Sequence, residues 1–171
     1  MHLAIDLRCA RLAVGASTAR GQKAGLVDDL RSALSHVRLS SFGVSGQKRP
    51  LAALDRWTDR IQEAVGVGRC AWGLARKCLN IFLRDCYYNA FLKSEFGSKV
   101  SPDWFEVPLD SISGRRLHEL EPDIAPAWRK IGDIDVESNE RFQEAALQVS
   151  RKWNVERVHL DTYFRVLERP G

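Results

Sequence analysis

The run from Trp72 to Leu92, reading WGLARKCLNIFLRDCYYNAFL, constrains this chain more than any other stretch. At about 100° per residue, Arg76, Tyr87, Asn80, Arg84, Lys77 and Tyr88 fall within one arc of roughly 120°. Leu74, Cys78, Ile81, Phe82, Cys86, Ala90 and Phe91 cover most of the remaining circumference. A helix that is apolar on most sides is buried on most sides, so the run predicts a central helix whose polar arc faces something anionic or wet. Asp85 and Asn89, at i and i+4, break the apolar side. A buried carboxylate is costly unless paired, so Asp85 is expected to meet an arginine or a helix N-terminus from another segment.

Other segments supply partners for such a helix. From Gln22 to Val37, Leu26, Leu30, Ala33, Leu34 and Val37 recur at helical spacing, and Leu54, Trp57, Ile61, Ala64 and Val65 mark a second amphipathic helix. Ser40 to Pro50 reads as loop between them. Gly66-Val67-Gly68 then joins the second helix to the central one as a helical hairpin. Amides in such a turn could grip a backbone phosphate, or the turn could be a plain connection. Beyond the central helix, Phe96 to Asp103 reads as loop and Trp104 to Leu109 as an extended apolar segment. Asp110 stands where an N-cap would, before a helix from Ser111 to Leu120. Pro122, Pro126 and residues 132–135 punctuate a connection around Trp128. Phe142, Ala145, Ala146, Val149 and Trp153 make a further amphipathic helix, and a last helix starts near Asp161. With no repeat and no alternating strand, the fold class is all-α: a single compact multi-helix domain over residues 23–171, preceded by a flexible N-terminus over 1–22.

Composition narrows the class. At 171 residues, with 44% hydrophobic and 28% charged residues, the chain is an ordinary globular sequence with enough mass for a core. No window approaches the roughly 18 apolar residues of a spanning helix, and the N-terminus has no continuous apolar stretch of a signal peptide. The expectation is an intracellular, cytoplasmic protein with no membrane partner, nucleoid-associated if bacterial. Residues 1–50 carry 8 Lys or Arg against 3 acids, and the other 121 carry 18 against 19, so the net +4 is N-terminal. Cys70, Cys78 and Cys86 are spaced by eight, which turns each about 80° from the last. They cannot converge on one metal, and with Cys9 they read as buried thiols. No metal or cofactor is implied.

Lys77 and Asp110 are the pair that suggests chemistry. One lies in the helix after a glycine hairpin; the other follows an extended Val-Pro-Leu segment. In this order residues 53–116 resemble the helix-hairpin-helix DNA glycosylases, most nearly the archaeal 8-oxoguanine branch. Gly73-Leu74-Ala75-Arg76-Lys77 is similar to the family's Gly-x-x-x-Lys run, and Val107-Pro108-Leu109-Asp110 to the segment ending in its aspartate. Anchoring the register on Gly66-Val67-Gly68 instead puts Cys70 at the lysine position. The resemblance implies Lys77 as a Schiff-base nucleophile at the sugar C1′ and Asp110 as the carboxylate that stabilises the cationic sugar, with abasic-site lyase activity following. It implies duplex DNA with a flipped base as partner. DNA contacts would come from Gly66, Gly68, Arg76, Asn80, Arg84, Arg115 and Arg116, a base pocket from Trp72, Tyr88 and Trp104, and Asp161 would be a substitute acid. The competing reading is a non-catalytic module that binds nucleic acid or protein through the face of Arg76, Lys77, Asn80 and Arg84. A metal-dependent nuclease has little to support it, because Asp85, Asp110 and Asp161 have no ligand spacing.

Overall fold

The computed structural model describes residues 2–15, 25–43, 48–97 and 100–167. Its seven described α-helices are α1 (His2–Ala13), α2 (Leu26–Ser35), α3 (Lys48–Val65), α4 (Trp72–Tyr88), α5 (Ser111–Leu120), α6 (Val136–Trp153) and α7 (Leu160–Leu167), with short 3-10 turns in several of the described connections. No strand is present among the described residues, and the all-α class stands. Among those residues, no helix is long and apolar enough to cross a membrane.

Helix α4 is the central helix. Every residue from Gly73 to Asn80 is buried, and α1, α2 and α3 pack against it. Two apolar clusters meet along it. The first joins α1–α4 through Leu30, Phe42, Leu54, Leu79 and Phe82; the second joins α5–α7 through Leu117, Phe142, Val149 and Phe164. Ile131, in the turn before α6, packs against both. The seam between the clusters is close. A Cβ on Gly73 would lie 2.5 Å from the Ile131 carbonyl oxygen and 2.6 Å from Ile134 Cβ, so only glycine fits that point of α4.

The N-terminal segment departs from expectation. Residues 2–13, read as a frayed terminus, form α1, and Cys9, Ala10, Ala13 and Val14 are buried. Small residues carry a weak periodic signal, yet they let α1 approach α4 closely. Residues 16–22 of that segment lie outside the described residues. The central helix also ends earlier than its apolar run: Asn89 is extended, with its side chain accepting the Phe91 amide at 2.9 Å.

After a 3-10 turn that ends at Trp104, residues 105–110 cross between the clusters as an extended, strand-like segment that pairs with no sheet, so side chains take the place of a ladder. Arg157 donates to the carbonyls of Trp104 (2.9 Å) and Phe105 (3.0 Å). The Gln143 amide accepts from the Val107 N–H and donates to its carbonyl, both at 3.0 Å. Ser113 Oγ donates to the Pro108 carbonyl at 3.1 Å. Buried backbone groups need partners, and here three helical or turn elements provide them.

Candidate functional site

The polar arc of α4 meets carboxylates of its own chain. Arg76 forms a two-pronged pair with Glu106, Nε to Oε2 and Nη2 to Oε1 both at 2.8 Å, and its Nη1 donates to Asp55 at 2.8 Å and Thr58 at 3.1 Å. Asn80 donates to Glu106 Oε2 at 3.0 Å, and Asn139 of α6 reaches both oxygens at 3.3 and 3.4 Å. Burial alone would push the Glu106 carboxyl up. The Arg76 charge and hydrogen bonds, with Arg157 and Asn80, outweigh it and hold it at about 2. Burial likewise works against the Arg76 cation, and Glu106 and Asp55 overcome it. A cavity of about 180 Å³ opens beside the pair, lined by Asp55, Trp72, Arg76, Asn139 and Arg157 among others.

Further along α4, Arg84 donates to both oxygens of Asp161 at 3.1 and 3.0 Å and lies 3.4 Å from Asp85. Asp85 therefore finds an arginine, but on its own helix rather than another segment. Asp161, expected as a substitute acid, ties α7 to α4.

These pairings correct the expected DNA contacts. Arg76 and Asn80 are buried and Arg84 is mostly enclosed, each committed to an internal carboxylate, so none presents a free cation or amide to a phosphate. The basic face on which a non-catalytic binding module would rely is turned inward. Arg116 pairs with Glu119 at 2.7 Å, whereas Arg115 is exposed in the first turns of α5. In the hairpin turn, Gly66 adopts φ +101° and its N–H closes the end of α3 on Gln62 and Glu63. Among the described residues the amides of Val67 and Gly68 make no hydrogen bond, and a Cβ on Gly68 would meet open space.

The three aromatic residues expected around a base do not converge. Trp72 and Tyr88 stand at opposite ends of α4, about 24 Å apart along its axis. Trp104 is buried and stacked on Phe105 at 4.2 Å and Phe42 at 5.7 Å, leaving no face for a base. Trp72 lies beneath the Arg76 guanidinium at 5.2 Å and donates to Asp59 at 3.0 Å. Tyr88 Oη is 2.9 Å from His159 Nε2.

Lys77 is the exception on the arc. It is only 8% exposed, and among the described residues it makes no hydrogen bond or ion pair. Its amine is not among the fully enclosed, unpartnered side-chain nitrogens, so the buried stem carries the charge out to the surface. Asp110 caps α5 as expected: Oδ1 accepts the amides of Ile112 (2.9 Å) and Ser113 (3.0 Å), and Ser113 Oγ accepts the Asp110 N–H, a reciprocal capping box. Its Oδ2 meets Arg165 of α7. No hydrogen bond joins Lys77 to Asp110. Cys70, the residue that the other register would put at the lysine position, is fully buried, and burial pushes its thiol up to about 11, which makes it a poor nucleophile at neutral pH.

Comparison with protein-family models, curated proteins and solved structures finds no match.

Asp110 has two separable roles, the cap and the charge. Asp110→Ala is expected to cost about 1–2 kcal/mol in urea unfolding. Asp110→Asn keeps an acceptor for the two amides, so it should lose no more than about half as much. Equal losses would put the weight on the Arg165 pair instead of the cap.

Sequence reasoning passed over Glu106, Asn139, Gln143 and Arg157. The available signal was the lone acid in the apolar run Trp104 to Leu109, set against Arg76 and Asn80 one turn apart on a helix predicted to be buried. An acid and an arginine that each need a buried partner are a natural match.

Proposed function

We propose that this chain is a DNA base-excision glycosylase with an associated abasic-site lyase activity, acting on a damaged or modified base, with oxidised guanine among the candidates, through a Schiff base at Lys77. The observation that carries the reading is the state of Lys77: a lysine with a buried stem and an amine that reaches the surface, on the central helix one turn after a close-packed glycine, with no carboxylate committed to it among the described residues. Support also comes from Asp110 at the N-cap after the Val-Pro-Leu segment, from the open Val67 and Gly68 amides of the hairpin, and from the exposed Arg115.

The chemistry balances with these groups. Once its proton has passed to water, the amine of Lys77 attacks C1′ as the bond from C1′ to the base breaks, and the base leaves with the bonding electrons and takes up a proton. Opening of the sugar ring gives a protonated imine between Nζ and C1′. Loss of a C2′ proton then expels the 3′ phosphate oxygen, and water hydrolyses the imine to return the lysine. Asp110 offers its Oδ2 edge to the cationic sugar. Arg165, about half exposed, is the group that yields that edge to substrate. Extruding the base costs on the order of a few kcal/mol, least for a damaged or mispaired one. The partner in this reading is duplex DNA, and the protein is cytoplasmic, nucleoid-associated if bacterial.

Borohydride trapping tests the reading. Parent protein and Lys77→Ala are incubated with duplexes bearing oxidised, deaminated or abasic sites. A covalent adduct on at least one duplex, absent from Lys77→Ala, is the expected result. No adduct and no strand cleavage on any duplex would overturn it.

A further inference from the structure

The two proposed reacting groups sit on different elements with no direct bond between them, so something must set their spacing. Lys77 lies on α4 between Arg76 and Asn80, and Glu106 lies four residues before Asp110 on the extended strand. Arg76 and Asn80 both hold the Glu106 carboxylate, from residues on either side of Lys77 in sequence, and Asn139 holds it from α6. The strand is thus fastened to α4 at the turn that carries the lysine.

We infer that Glu106 is a positioning residue for the Schiff-base reaction, its carboxylate fixing the strand that leads to Asp110 in register against the Lys77 turn of α4. This inference rests on the glycosylase reading. A two-pronged arginine–carboxylate pair specifies direction as well as distance, which an apolar contact does not. The fold has further ties on this strand, from Arg157 and Gln143, but those act on backbone groups at residues 104, 105 and 107 and reach α6 and the turn before α7 rather than α4. Among the described residues, the hydrogen bonds from α4 to the strand converge on the Glu106 carboxylate. Misplacement of a reacting group by about 1 Å costs on the order of 100-fold in rate.

The test separates register from mere stability. Replacing a buried ion pair by apolar residues of similar volume is often neutral or stabilising, so Arg76→Met/Glu106→Leu is a route to a folded chain without the tie. Asn80→Leu is the second variant; it removes one strut and leaves the ion pair in place. Single-turnover borohydride trapping on abasic duplex and DNA affinity by fluorescence anisotropy are measured for parent and both variants. Expected are unchanged affinity, because these groups are buried, and adduct formation slowed about 10- to 100-fold in the double variant and several-fold in Asn80→Leu. Parental adduct rates in a folded double variant would overturn the inference and leave the glycosylase reading intact. If the double variant does not fold, a parental rate in Asn80→Leu overturns it. A parent that forms no adduct removes the reading and the inference together.

Discussion

Glu106→Ala should destabilise the fold by about 3–5 kcal/mol, because it leaves the Arg76 guanidinium buried with only Asp55, itself half exposed, as counter-charge. For a chain of this length that lowers the thermal midpoint by on the order of 10 °C. The same group sets an acid response. Its carboxyl ordinarily titrates near 4.5 and is held at about 2 in the fold, so its contribution is fully present above 4.5 and is lost as pH falls towards 2. Urea unfolding of parent and Glu106→Gln across that range reads this as a difference that is largest at neutral pH and narrows below 4.5. Other carboxylates titrate in both proteins and largely cancel. A gap that stays constant from pH 7 to pH 3 would mean that the charge of Glu106 does not hold the fold.

Gly73→Ala carries the second large effect, and its sign runs against helix propensity. In an exposed helix interior alanine is favoured over glycine by about 1 kcal/mol. At Gly73 the new methyl would meet a backbone oxygen and a branched side chain at 2.5 and 2.6 Å, neither of which can swing aside, so the turn carrying Ile131 must move off α4. Overpacking of this kind costs about 1–3 kcal/mol beyond the lost propensity gain. The expected result is a net loss of about 2 kcal/mol, a midpoint lower by roughly 4–8 °C, read by calorimetry. Gly68→Ala is the matched control: a Cβ there meets open space, and the midpoint should move by less than about 2 °C. A stabilised Gly73→Ala would show that the seam is looser than the packing indicates.

The central helix, the hairpin, the cap at Asp110 and the amphipathic α6 were legible because each is written in residues close together: a 3.6-residue apolar period, two glycines, a carboxylate two and three residues before the amides it accepts. The polar arc was legible as a demand for negative charge. Its answer was not, since Glu106 lies 30 residues from Arg76 and Asp161 lies 77 from Arg84, separations at which periodicity says nothing about who meets whom. With no partner in view, DNA phosphates were an equally good complement for the same cations. Helix α1 was missed for a different reason. Cys9, Ala10 and Ala13 bury little area each, so a composition reading weights them as neutral although the fold uses their smallness. The aromatic residues misled in the reverse direction: Trp104 is large because it fills the first cluster between Phe42 and Phe105, not because it awaits a ligand.

The segment from Trp104 to Asp110 has one more consequence. Trp104 and Phe105 belong to the first apolar cluster, Val107 and Leu109 to the second, and the polar groups between them are held by side chains from α4, α6 and the turn before α7. Neither cluster can open without stripping partners from this strand, and a broken bond there exposes buried charge to an apolar surrounding. A partially unfolded form in which one half stands while the other melts is therefore expected to be costly: the Val107 amide, bonded to Gln143, should trade its proton with solvent on the timescale of global unfolding, and the two halves should melt in one transition.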